Sequence, residues 1–292
     1  MRFYDQQHNR LVYIAEQASP DYWDRHWSFD KLRIEELRRE ITRKHFDFLV
    51  LPTTRDYLQR GSRVLEGGCG TGVHVYNLQR HGFESIGIDN APETVRLAKQ
   101  AVPEMDIREG DVRALPFPDN HFDGYWSIGV IEHFWDGYDA ALREMRRVLK
   151  PGGYLFLTFP YMSPLRRWRA RRGAYPPVIL EAPKGPIGSR LDSIARSATS
   201  LQNDKEKQPS ALQNDIPPNF YQFALDHKRV TKTFETNGFE LIEEKPFDGW
   251  NGLNNEIPLK LRAKPLRLAI DFLARPFAGH AILLVLQKKT PR

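Results

Sequence analysis

The stretch Val64-Leu65-Glu66-Gly67-Gly68-Cys69-Gly70-Thr71-Gly72 decides the fold of this 292-residue chain. Val64-Leu65 closes a short apolar run suited to a buried strand, and glycines crowd the turn behind it. Glycine admits left-handed backbone and lets a ligand come close to the main chain. A strand, a sharp turn and a helix beginning near Val73 are therefore expected. In an open α/β sheet, a small molecule binds beyond the C-terminal ends of such strands.

Working outward, short apolar runs alternate with helical stretches from Gly61 onward, the signature of a parallel sheet covered by helices. Strands are expected near 62–66, 83–88, 105–109, 122–127 and 153–159. Tyr138, Ala141, Leu142, Met145, Val148 and Leu149 form a helical stripe that Lys150-Pro-Gly-Gly153 ends. The first sixty residues read as helical, with Ile34, Leu37, Ile41 and Phe48 on one face after an Asp30 N-cap. Residues 185–217 carry few large apolar groups and read as a mobile insertion. A helix near 226–237, a strand at 239–245, a basic helical tract and a strand at about 280–287 follow. The expected organisation is a helical cap (1–60), a cofactor-binding core (61–160), an insertion on the substrate side (161–225) and a segment completing the sheet (226–292).

Hydrophobic residues at 40% and charged residues at 27% suit a globular core. The single cysteine, Cys69, excludes an internal disulfide framework and a multi-cysteine zinc site. The polar start shows no secretory pattern, so a cytoplasmic location is expected. The run Ala281–Leu286 falls far short of the roughly 20 residues a spanning helix needs. The net charge of +6 is concentrated in Arg166–Arg172 and in the tract 260–275. With Trp168 interleaved, the first of these suits either a solvated face or peripheral contact with an anionic membrane.

Glu66 at the head of the turn would repel a phosphate and suits a cationic amine or sulfonium, and the G-x-G-x-x-G spacing of pyrophosphate sites is absent. The pattern Glu66-x-Gly68-x-Gly70-x-Gly72 resembles the first motif of class I S-adenosylmethionine-dependent methyltransferases, especially the group of ubiquinone and menaquinone biosynthesis. Gly87-Ile-Asp89, Gly110-Asp-Val-Arg-Ala-Leu-Pro-Phe-Pro118, Phe122–Phe134 and Leu142–Gly153 resemble its later motifs in order. The resemblance implies a Rossmann-like doubly wound sheet of seven strands, the last antiparallel, and S-adenosylmethionine as cofactor. It assigns the ribose to Asp89 with Asn90, the adenine to Asp111 and Val112, and the methionine part to Ser127 and Ile128. Asp111 read alone could instead cap a short turn.

Methyl transfer to an activated carbon needs alignment and exclusion of water, and a base only where the acceptor loses a proton. His133, just past the fourth strand, is the candidate general base, or else a residue holding that loop. Glu132 beside it ranks lower, because adjacent side chains point apart. Tyr22, Trp23, His26 and Trp27 cluster in the cap and resemble the aromatic residues that close over the methionine part and the acceptor in the family, with anchoring of the cap as their alternative role, and Tyr221 resembles an acceptor contact. The expected acceptor is a small or lipid-linked molecule, O-methylation being preferred over C-methylation of a quinone-like precursor on the strength of His133. No metal is expected. Ser127-Ile-Gly-Val130 stands where base-modifying enzymes carry Asp/Asn-Pro-Pro-Tyr, which argues against nucleic acid. A nicotinamide-dependent oxidoreductase and a non-catalytic subunit remain as rival classes.

Overall fold

A computed structural model describes residues 1–27, 34–43, 48–180, 211–212, 219–257 and 264–290. The chain opens on β1 (Arg2–Asp5) and β2 (Arg10–Ile14), followed by α1 (Pro20–His26), α2 (Ile34–Thr42) and α3 (Val50–Tyr57). Strands and helices then alternate: β3 (Arg63–Gly67), α4 (Val73–Arg80), β4 (Glu84–Asp89), α5 (Pro92–Ala101), β5 (Ile107–Glu109), β6 (Phe122–Ile128), a short 3-10 turn (Ile131–His133), α6 (Asp139–Val148) and β7 (Leu149–Pro160). The remainder comprises α7 (Pro164–Arg171), β8 (Pro177–Leu180), β9 (Ala211–Leu212), β10 (Phe220–Ala224), α8 (His227–Thr236), β11 (Phe239–Phe247), α9 (Gly249–Glu256), α10 (Lys264–Ala278) and β12 (Ala281–Lys288).

Seven strands form the main sheet in the order β11-β12-β7-β6-β3-β4-β5. The pairings from β7 through β5 are all parallel, as the alternation of strands and helices anticipates, and β12 runs antiparallel to both β11 and β7, as the family resemblance implies. The direction of strand progression reverses between β3 and β6, the crevice where doubly wound sheets bind ligands. Leu65, Tyr125, Leu155, Leu157 and Leu284 are fully buried on the strands, and α6 adds Ala141, Leu142, Met145 and Val148 to the same core. On α3, Thr54 accepts the Trp126 indole N–H at 2.9 Å, while that indole stacks on Phe156. Phe48 departs from the expected stripe: it lies beyond α2 and is 61% exposed, whereas Leu37 and Ile41 are buried. The Asp30 cap and most of the 185–217 insertion lie outside the described residues.

The first fourteen residues are not helical. β1 and β2 pair as a hairpin and join β8, β9 and β10 in a second sheet of order β10-β2-β1-β8-β9. The buried Asp5 carboxylate explains the turn, since it accepts from the His8 amide at 3.2 Å and from Arg10 Nε at 2.9 Å. The run Arg10-Leu-Val-Tyr-Ile is rich in β-branched and aromatic residues that favour a strand, and the adjacent Leu11 and Val12 are fully buried on its two faces. Its partner β10 lies some two hundred residues away in sequence, beyond the reach of local periodicity.

Candidate active site

The geometry of the glycine-rich turn at 66–72 follows from its backbone. Gly68 and Gly70 have φ of 77° and 52°, and a Cβ on Gly70 would meet the Trp27 ring at 2.9 Å. Only glycine permits both the left-handed conformation and the indole's approach. The Gly70 amide donates to Asp89 Oδ2 at 2.7 Å and the Ala91 amide to Oδ1 at 2.9 Å, locking the turn after β3 to the end of β4. Asp89 is buried, and desolvation pushes its carboxyl up despite these hydrogen bonds.

Over this turn lies a cavity of about 470 Å³, within the range of ordinary small-molecule sites. Its wall joins Gly68, Gly70, Asp89, Asn90, Asp111 and Val112 from one side of the switch point. Ile128 and His133 come from the other side, and Trp23 comes from α1. Other predicted residues stand back from the wall. Glu66 is buried beneath the turn, Gly72 begins α4 with φ of 75°, and Ser127 is fully buried with an Oγ that meets no hydrogen-bond partner among the described residues. Tyr22 packs edge-on against Tyr221, and neither ring reaches this wall. Burial and the nearby carboxylates push the Cys69 thiol up, which suits a packing role.

Asp111 adopts the turn-capping role: it accepts the Arg113 amide at 2.8 Å and pairs with the Arg113 guanidinium at 2.7 Å, which holds its carboxyl below the usual range. Its loop is held from behind by α6, where Glu144 accepts the Leu115 amide at 2.6 Å and Arg147 donates to the Leu115 and Phe117 carbonyls.

His133 sits between Trp23 and Tyr221, its ring about 5 Å from each. Its Nδ1 lies 2.7 Å from the Tyr221 carbonyl, which can only accept, so Nδ1 carries the hydrogen and Nε2 the lone pair. Burial pushes the imidazole down to about 4, while the same burial lifts neighbouring Glu132 up to about 8. Two adjacent titratable groups are thus both neutral near pH 7.

Several wall residues escaped sequence reasoning, among them Ser19, Arg113 and Trp135, whereas Trp27 lines the wall as a member of the expected aromatic cluster. Trp27 belongs to the aromatic cluster visible at 22–27, but nothing local aims it at Gly70. Asp24 escaped as well. It accepts the Thr94 amide and hydroxyl, both at 2.8 Å, and so fastens α1 to the start of α5.

Among Arg166–Arg172, the expectation of a surface stripe fails at Arg166, which is fully buried. Its guanidinium donates to the Tyr161 and His280 carbonyls and pairs with Glu256 at 3.2 Å. Arg169 pairs with the same carboxylate at 3.3 Å.

Comparison with known proteins places a methyltransferase domain at residues 65–157. A demethylmenaquinone methyltransferase of Staphylococcus saprophyticus is 36% identical over 104 residues, covering 34% of this chain and 44% of that protein. A fatty-acid O-methyltransferase of Mycolicibacterium smegmatis is 33% identical over 102 residues, covering 34% of this chain and 37% of that protein. The chain therefore spans less than half the length of these relatives. A crystal structure of an S-adenosylmethionine-dependent methyltransferase from Mesorhizobium loti superposes with a TM-score of 0.50 at 18% identity, over 81% of this chain and 96% of that one, which supports the Rossmann-like fold.

Proposed function

We propose that this chain, built around the methyltransferase domain of residues 65–157, moves the methyl group of S-adenosylmethionine to a small or lipid-linked acceptor. The observation that carries this reading is the cavity at the switch point, where the glycine turn, Asp89, Val112 and Ile128 converge with His133. The residues suit the cofactor: Gly68, Gly70, Asp89, Asp111 and Val112 share one wall of the cavity, where Asp89 would offer carboxylate oxygens to ribose hydroxyls and Asp111–Val112 would meet the adenine. Bound S-adenosylmethionine supplies an electrophilic methyl carbon on a sulfonium.

The chain's own work is positioning and exclusion of water. Trp27 packs over Gly70 of the glycine turn and Trp23 against His133, so that both screen the cavity, and Tyr221 holds His133 through its carbonyl. His133 Nε2 accepts a hydrogen bond from an acceptor hydroxyl and takes its proton as the oxygen attacks. O-methylation is therefore our preference, with C-methylation of a quinone-like precursor as the second reading, in keeping with the activity named for the staphylococcal relative. The domain divisions at 60, 160 and 225 belong to the same proposal.

Titration calorimetry with S-adenosylmethionine and with NAD tests the cofactor, and binding of NAD alone would overturn the reading. Incubation with labelled S-adenosylmethionine and a lipid extract tests the role of His133. His133→Asn is expected to lower turnover by about 100-fold with cofactor affinity unchanged. Because the imidazole is held near 4, the parent's activity should persist well below pH 6 before His133 protonates. An acid limb centred at the ordinary histidine value would remove His133 as the base.

A further inference from the structure

α10 is polarised in reverse. Five of the eleven large hydrophobic side chains exposed among the described residues lie on this one helix: Leu266, Leu268, Phe272, Leu273 and Phe277, the third and fourth at 70% and 75% exposure. Pro265, Ala269 and Pro276 fill the gaps between them on the same outward face. Three charged residues of the helix lie off that face: Asp271 accepts the Trp250 amide at 3.0 Å and bonds Arg275, and Arg267 lies over the Trp250 ring. A helix packed on a globular protein in water carries its polar face outward. This one shows water an unbroken apolar face, and such a patch marks an interaction surface.

Charge identifies the occupant. Residues 260–275 contain five basic residues and one acidic residue. α10 packs beside α7, whose outward residues include Trp168 and Arg171, and the guanidinium of Arg172, at the C-cap, lies 4.4 Å from the centre of the indole. A second copy of the chain would bring the exposed Arg171, Arg172 and Arg267 against their own like charges, whereas anionic headgroups complement them. Tryptophan and arginine are also the residues that settle at a bilayer surface. No helix among the described residues is long and apolar enough to cross a membrane, so the helix would lie in the plane of the interface.

We propose that α10, with Trp168 and Arg171 of α7 and Arg172 just beyond it, docks the protein on an anionic lipid surface. α9 and α10 are inserted between β11 and β12, at the sheet edge where Phe247 pairs with Ala281 and Ala281 with Pro160. The parallel strands β3 and β6 end at this same edge, which also bears the cavity. Docking through α10 therefore turns that edge toward the lipid.

The test is flotation of the full chain with vesicles of phosphatidylcholine plus phosphatidylglycerol and with vesicles of phosphatidylcholine alone. The parent should bind the anionic vesicles at least about tenfold more tightly. Phe272→Glu combined with Leu273→Glu should lose at least about tenfold in vesicle affinity, with an unchanged circular dichroism spectrum. Arg171→Glu combined with Arg172→Glu provides an independent second variant and should weaken binding to anionic vesicles only. Absence of vesicle binding, equal binding to both compositions, or indifference to both variants overturns the proposal. Sedimentation showing a vesicle-free dimer that the Phe272/Leu273 variant dissociates would assign the face to a second copy and overturn it equally. The assay contains no methyl donor, so its failure is distinct from failure of the proposed activity.

Discussion

At the scale of single residues, Glu132 and His133 set the pH response of the site region. Glu132 is held at about 8 against an ordinary 4.5, so the folded protein keeps a proton there that the unfolded chain releases. Its contribution to stability is complete below about pH 4.5 and is lost as the pH rises to about 8. His133 and His280, both held at about 4, act in the opposite sense, contributing stability above pH 6.5 that is lost as the pH falls toward 4. Between about 4.5 and 6.5 the two histidine slopes outweigh the single opposing slope of Glu132, so stability rises with pH there, and between 6.5 and 8 it falls again in a loss that belongs to Glu132. Glu132→Gln should remove that loss. Its urea midpoint, compared with that of the parent at stepped pH, should gain steadily from about pH 4.5 to pH 8. Parallel curves would show that Glu132 ionises without cost.

At the scale of elements, α1 is hydrogen-bonded to α5 through one of its own side chains. The N-cap of α5, Ala91, makes no side-chain cap, and Asp24 supplies it from a different helix by accepting the Thr94 amide and hydroxyl. A carboxylate at a helix start is also favoured by the dipole. Asp24→Ala should cost about 1 kcal/mol, in line with loss of an N-cap. Amide exchange across residues 20–27 should speed up, and S-adenosylmethionine binding should weaken as Trp23 and Trp27 lose their seat. Unchanged exchange would place the anchor of α1 elsewhere. The same contact shows where sequence reasoning stops. The strand-turn-helix unit at 63–80 and the strands through β7 were legible because glycines, apolar runs and helical stripes are local signals. So were Asp89 and Val112, through their place in ordered motifs. The pairing of Asp24 with Thr94, of β2 with β10, and of Trp27 with Gly70 are meetings between distant segments whose residues give no local sign of their partners. For α10, periodicity revealed a helix, but which face turns outward is fixed only by what α7, α9 and β11 cover.

At the scale of the whole molecule, Glu256 joins regions that the sequence keeps far apart. Only 3% exposed, it sits on α9 and pairs with Arg2 of the N-terminal hairpin at 2.8 Å and with Arg166 and Arg169 of α7, while the Tyr175 hydroxyl donates to its other oxygen. Arg166 continues the network to His280, whose Nδ1 accepts from the guanidinium at 2.9 Å. The second sheet, the segment after β7 and the insertion between β11 and β12 are thereby fixed to one carboxylate. A buried guanidinium is tolerated only with its countercharge and hydrogen bonds in place. Glu256→Leu should therefore cost about 3–5 kcal/mol, because Arg166 stays buried without its carboxylate. Glu256→Gln, which keeps an acceptor oxygen for one guanidinium, should recover part of the loss. Denaturant midpoints of the three proteins provide the comparison, and a leucine variant as stable as the parent would mean that Arg166 escapes to water when its partner is removed. Since β1 and β2 reach the site through β10, whose Tyr221 carbonyl orients His133, loosening this network should also raise the acceptor KM more than it weakens cofactor binding.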